Sequence, residues 1–124
     1  MSEYVREVNE RDFDQVVLTS RTPVLVDFWA ECCEPCRALA PIVELAAEQC
    51  ASAAHIFKLN VDDSPAVMER YGIQAIPTLI LFLDGVEKER VDFQPHDKVG
   101  FFTSTRELLG RLRAVTRRSN GRRG

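Results

Sequence analysis

Residues Pro23-Val24-Leu25-Val26-Asp27-Phe28-Trp29 form a nearly unbroken apolar run. The run is too short for a buried helix and is rich in β-branched and aromatic residues, so it reads as a strand. A strand without polar alternation is covered on both faces, and the layers that do this are helices on either side of a sheet. That one segment therefore selects an α/β architecture. Asp27 is its anomaly, an acid in the middle of a strand that has no wet face.

The rest of the chain supplies the expected partners. Tyr4 to Val8 alternates as a short strand, and Asn9 stands as a cap before Glu10, Phe13, Val16 and Val17 at helical spacing. From Pro35, the positions Leu39, Ile42, Val43, Leu45, Ala46 and Ala47 mark a helix that Pro41 is expected to kink. His55 to Val61 and Thr78 to Leu83 read as strands, joined through a helix that Ser64 caps and Pro65 opens. Asp84-Gly85 is a hairpin turn into a last strand, Val86 to Phe93. Val99, Phe102, Leu108, Leu109, Leu112 and Val115 trace a final amphipathic helix. The order β-α-β-α-β-α-β-β-α predicts a central mixed five-stranded sheet with helices on both faces, parallel across the helical crossovers and antiparallel at the hairpin.

A chain of 124 residues suits one domain with a core of its own. We expect that domain to occupy residues 1–112, followed by a basic, flexible tail at 113–124. Residues 1–110 hold 10 Lys and Arg against 19 Asp and Glu, whereas the last 14 residues carry six arginines and no acid. An acidic body does not suit nucleic acid, and the arginines read as a solvated tail. No stretch reaches the roughly 18 apolar residues of a membrane span. The charged opening Met1-Ser2-Glu3-Tyr4-Val5-Arg6-Glu7 lacks the apolar run of an export signal, which points to the cytoplasm; we expect a monomer.

Three of the four cysteines crowd into Cys32-Cys33-Glu34-Pro35-Cys36, and Cys50 stands apart. In a chain without an export signal, such a cluster reads as redox chemistry or metal binding before it reads as a structural staple. The spacing of Cys33 and Cys36 puts both sulfurs on one side of a first helical turn, within reach of a disulfide. The strand ending at Trp29 delivers Cys33 to the helix N-terminus, where unpaired N–H groups and the dipole favour a thiolate, making Cys33 the nucleophile. Cys36, one turn inside, is the expected resolving thiol. Zinc and iron–sulfur sites also use Cys-x-x-Cys pairs, but the remaining candidates, Cys32, Cys50, His55 and His96, have no second pair spacing, so no metal is expected.

Val26-Asp27-Phe28-Trp29-Ala30-Glu31-Cys32-Cys33-Glu34-Pro35-Cys36 resembles the active-site segment of the thioredoxin family, whose usual form is VDFWAxWCGPC. Pro41, Lys58-Leu59-Asn60-Val61-Asp62, Tyr71-Gly72-Ile73, Ile76-Pro77-Thr78 and Asp84-Gly85 follow in the family's order, so the resemblance covers residues 4 to 112. It implies the thioredoxin fold and a dithiol–disulfide cycle that reduces disulfide-containing proteins, with a flavoprotein thioredoxin reductase as electron donor and no bound cofactor. It also makes Ile76-Pro77 a cis-proline site that offers backbone groups to a substrate strand, and Asp27 the buried acid beneath the second cysteine. Lys58 becomes that acid's neighbouring lysine, and Trp29 and Pro35 become parts of the active-site wall. An acid buried this way should have a raised pKa, as a proton acceptor for Cys36 requires.

The chain also departs from that pattern. Cys32 replaces a tryptophan, Glu34 a glycine, and Ala75 and Asp92 two glycines beside the substrate strand, giving a bulkier and more acidic docking surface. Two other readings follow: a specialised thioredoxin-like protein serving one partner, and a noncatalytic or metal-binding module of the same fold.

Overall fold

In a computed structural model of the protein, which describes residues 3–92, 110 and 114, five strands form one sheet in the order β1-β3-β2-β4-β5. They are β1 (Val5–Glu7), β2 (Val24–Trp29), β3 (His55–Asn60), β4 (Thr78–Leu83) and β5 (Val86–Asp92). The apolar run is β2, at the centre of the sheet. Helix α1 spans Glu34–Gln49 and α2 spans Pro65–Arg70, with a π-helical turn at Asp14–Leu18.

The two faces of β2 divide the core. Leu25 joins Val5, Ile56, Leu79 and Leu81 under Leu39, Val43, Ala46 and Ala47 of α1. Val24, Val26 and Phe28 join Phe57, Leu59, Ile80 and Phe82 under Phe13, Val17 and Val67 on the opposite face. Phe28 and Phe82 are fully buried, and truncating either to alanine costs about 3–5 kcal/mol through lost transfer energy and a residual cavity.

Helix length decides strand direction. At about 1.5 Å per residue, the 16 residues of α1 run back along the whole of β2, so β3 starts where β2 started and the two are parallel. The six residues of α2 advance only about 9 Å. That is too short to return the chain, so β4 begins at the end where β3 finished and pairs antiparallel to β2. The expectation of parallel neighbours at every helical crossover is corrected at this connection. The consequence is functional, because it sets Pro77, just before β4, at the end of the sheet where β2 hands over to the cysteines.

Local details differ from the sequence pattern in two further places. Asn9 accepts hydrogen bonds from the N–H groups of Arg11 (2.8 Å) and Asp12 (3.2 Å), closing a turn, while the helical segment starts later behind Phe13 without a side-chain cap. Ser64 precedes α2 without capping it; its Oγ accepts from the Glu10 N–H at 3.0 Å, and Glu10 Oε1 accepts from the Ala66 N–H at 3.1 Å. The α2 terminus is thus capped from across the fold. The β4–β5 turn has Asp84 at φ 51° and Gly85 at φ 79°, the pair of positive angles of a type I′ hairpin. A Cβ on Gly85 would also lie 2.6 Å from the Leu18 carbonyl oxygen, so glycine is required twice over. Phe93, His96, the final-helix positions Val99, Phe102, Leu108, Leu109, Leu112 and Val115, and the tail at 113–124 apart from residue 114 lie outside the described residues.

Candidate active site

Strand β2 ends at Trp29, and the chain turns at once: the Cys33 N–H donates to the Ala30 carbonyl at 3.2 Å. Cys33 has extended backbone angles (φ −91°, ψ 106°) and is the N-cap of α1; its Sγ accepts a hydrogen bond from the Cys36 N–H at 3.2 Å. A sulfur replaces the usual capping oxygen, and that same N–H stabilises negative charge on Sγ when the pair is reduced. Pro35 occupies the first turn, where a missing donor costs nothing. Cys33 and Cys36 are joined by a disulfide with Cα atoms 5.2 Å apart. Cys36 is 4 % exposed, and Cys33 is half-buried, so an incoming group meets Cys33 first.

The opposite wall is the loop before β4. The Ile76–Pro77 peptide is cis, and the Ile76 carbonyl oxygen lies 3.7 Å from Cys33 Sγ. The buried Thr78 hydroxyl approaches the Ala75 carbonyl oxygen at 2.6 Å and Asp92 Oδ1 at 3.2 Å. Thr78 therefore ties the loop to the end of β5, a role that went unassigned in the sequence although the residue stands inside the Ile76-Pro77-Thr78 match.

On the central strand, Asp27 stands in register between Lys58 of β3 and Leu79 of β4. Its side is that of Leu25, facing α1. It is 7 % exposed and its Oδ1 has no hydrogen-bond partner. Burial pushes its pKa up to about 7, against a smaller downward pull from Lys58. Lys58 Nζ lies 4.9 Å above the Trp29 ring and 4.0 Å from Glu7 Oε1. Glu7 went unnoticed in the sequence; it meets Lys58 through β1–β3 register, which no local spacing reveals. Trp29, Lys58, Glu7, Glu31, Asn60 and Arg11 help line a cleft of about 440 Å³ on this flank, with Trp29 Nε1 buried and unpartnered.

Cys32 and Glu34 are exposed, Cys32 as a free thiol, whereas Cys50 is buried where α1 ends. Arg37 donates to the Glu31 carbonyl at 3.1 Å. Among the described residues no three His, Cys, Asp or Glu side chains gather as a metal group. No helix among them is long and apolar enough to cross a membrane.

A reducible disulfide at a helix N-terminus, one sulfur accessible and one buried, facing a backbone carbonyl across a cis-proline loop, is an arrangement for thiol–disulfide exchange. Residues 4–100 match the family model described as Thioredoxin. The chain belongs to the thioredoxin family. Its Cys33–Cys36 pair and this membership make it a thiol–disulfide oxidoreductase. The chain is 46 % identical over 87 residues to a chloroplastic M-type thioredoxin of Pisum sativum, a match that takes in 70 % of this chain and 51 % of the relative, so it spans about half of that protein. It is 45 % identical over 82 residues to a thioredoxin of Rickettsia bellii, covering 66 % of this chain and 78 % of the relative. Thioredoxin 1 of Synechococcus elongatus is 48 % identical over 85 residues, with coverages of 68 % and 77 %.

Proposed function

We propose that the protein reduces disulfides in other proteins through Cys33 and Cys36, in the cytoplasm and as a monomer, and is itself recharged by a flavoprotein thioredoxin reductase. The Cys33 thiolate attacks one sulfur of the substrate disulfide; a Cys33–substrate disulfide forms, the substrate S–S bond breaks, and the departing thiolate takes a proton. Cys36 then loses its proton, with Asp27 as acceptor, and attacks Cys33 Sγ. The Cys33–Cys36 bond forms, the second substrate thiol leaves, and two electrons have passed from protein to substrate. Lys58 moderates the basicity of Asp27, Trp29 and Pro35 shape the wall, and the backbone at Ile76-Pro77 holds the substrate strand.

The observation that carries this reading is the contrast within the pair, with buried Cys36 behind half-buried Cys33 beside the Ile76 carbonyl. The test is reduction of insulin disulfides in the presence of a thioredoxin reductase and its nicotinamide reductant. Turnover that disappears in Cys33→Ser is the expected result, and turnover that survives in Cys33→Ser refutes it. A narrower reading, in which the protein serves a restricted set of partners, is favoured by exposed Cys32, Glu34 and Asp92 around the same site.

A further inference from the structure

Asp92 is exposed at the end of β5, opposite Thr78 in the β4–β5 register. Thr78 is fully buried, and its single hydroxyl proton faces two acceptors. The Ala75 carbonyl at 2.6 Å is the closer, and Asp92 Oδ1 at 3.2 Å takes the weaker share. The carboxylate is therefore oriented by a buried group without being neutralised by it. The neighbouring cation hydrogen-bonds elsewhere: Arg90 donates through Nε and a terminal nitrogen to both oxygens of Glu87, each at 2.8 Å, and its charge acts on Asp92 only through space. None of the ion pairs among the described residues uses Asp92. An exposed carboxylate, oriented by Thr78 and held in none of those salt bridges, thus stands across the β4–β5 ladder from the residue that follows the cis-proline, in the loop whose Ile76 carbonyl lies against Cys33 Sγ. Glu34, also exposed and uncompensated by any of those pairs, stands beside Cys33 on the other wall.

We propose that Asp92 is a specificity-determining residue that selects disulfides flanked by Lys or Arg, by facing the cationic side chain of a substrate strand seated along Ile76-Pro77. The inference rests on the proposed reduction of protein disulfides and names the substrate class that this site prefers. A strand paired with the loop alternates its side chains, so a residue next to the reactive half-cystine is turned toward the β5 rim. Attraction of a cation and repulsion of an anion at about 6 Å in water together change the relative rate roughly tenfold at low salt. At 1 M salt, where the screening length is about 3 Å, most of that discrimination disappears.

The experiment uses three peptides, each carrying one intramolecular disulfide flanked by Lys, Ser or Glu, and the dithiothreitol-reduced full chain as wild type, Asp92→Asn and Asp92→Glu. The readout is the second-order rate of peptide reduction at low and high salt. The expected result is a Lys-over-Glu preference in wild type that collapses at high salt, falls roughly tenfold in Asp92→Asn and is retained in Asp92→Glu. Equal rates for the Lys and Glu peptides in wild type, or a preference that Asp92→Asn leaves intact, overturn the proposal. So does a parallel slowing of all three peptides in Asp92→Asn with the ratio unchanged, which would make Asp92 only a support for Thr78. If wild type reduces none of the peptides, the oxidoreductase reading itself fails, an outcome distinct from uniform reduction of all three.

Discussion

Replacing Asp27 with alanine in the oxidised protein should raise stability at neutral and alkaline pH and slow disulfide exchange. Buried Asp27 has a folded pKa of about 7, against 3.8 as its ordinary value. Below pH 3.8 the carboxyl is protonated in both folded and unfolded chains, and the substitution removes no charge. Between the two values the unfolded chain ionises while the folded one keeps its proton, so the native state loses stability as pH rises. Above about pH 7 the loss is complete. A gap of about three pH units, each worth about 1.4 kcal/mol, amounts to roughly 4 kcal/mol. Lost packing around the smaller alanine takes back about 1–2 kcal/mol, leaving a net gain of roughly 2 kcal/mol at pH 8. Urea denaturation of both proteins at pH 4 and pH 8 measures this directly, provided the m-values agree. An alanine variant less stable than wild type at pH 8, or a difference that does not grow between the two pH values, would show that Asp27 is not a buried charge that destabilises the native state.

Cys36→Ser should accumulate a mixed disulfide with substrate on Cys33, because the resolving thiol alone is missing; mass spectrometry that finds the adduct on Cys33→Ser instead reverses the two roles. Iodoacetamide added to the oxidised protein should alkylate exposed Cys32 well before buried Cys50, and disulfide mapping that finds Cys32 bridged to Cys33 or Cys36 would contradict this. Glu34→Gly should move the reduction potential by less than about 10 mV, since an exposed carboxylate about 6 Å from a thiolate in water contributes on the order of 0.7 kcal/mol and the thiolate is only partly populated. Its effect should instead appear in the salt dependence of the rate with a reductase, and a potential change above about 30 mV with unchanged association kinetics would overturn that.

The run at 23–29 and the Cys-x-x-Cys spacing were legible because each is a local pattern: one dictates a doubly covered strand, the other a first helical turn with two adjacent sulfurs. The direction of β4 was not, because it depends on comparing the length of α2 with the length of the strands it joins. Capping was misread at Ser64 for a related reason. Its hydroxyl can cap its own helix or serve Glu10, and the choice is made by a contact spanning 54 positions of sequence. Asp27 announced itself as an acid in an apolar strand, whereas Glu7 and Thr78 act through strand register and carry no local signature. Asp92 was visible as a departure from a glycine, but that Arg90 forms its salt bridge with Glu87 rather than with Asp92 emerges only from the structure.

On the proposed function, Cys33 and Cys36 form a reversible couple that donates electrons to protein disulfides. Equilibrating the protein against graded ratios of reduced and oxidised dithiothreitol, then trapping thiols by alkylation and counting them at Cys33 and Cys36, tests it most directly. A single two-electron transition is expected near roughly −270 mV, the range of a thioredoxin reductant. A transition near roughly −120 mV, the range of a strong oxidant, or no reversible transition at these two residues, would contradict it.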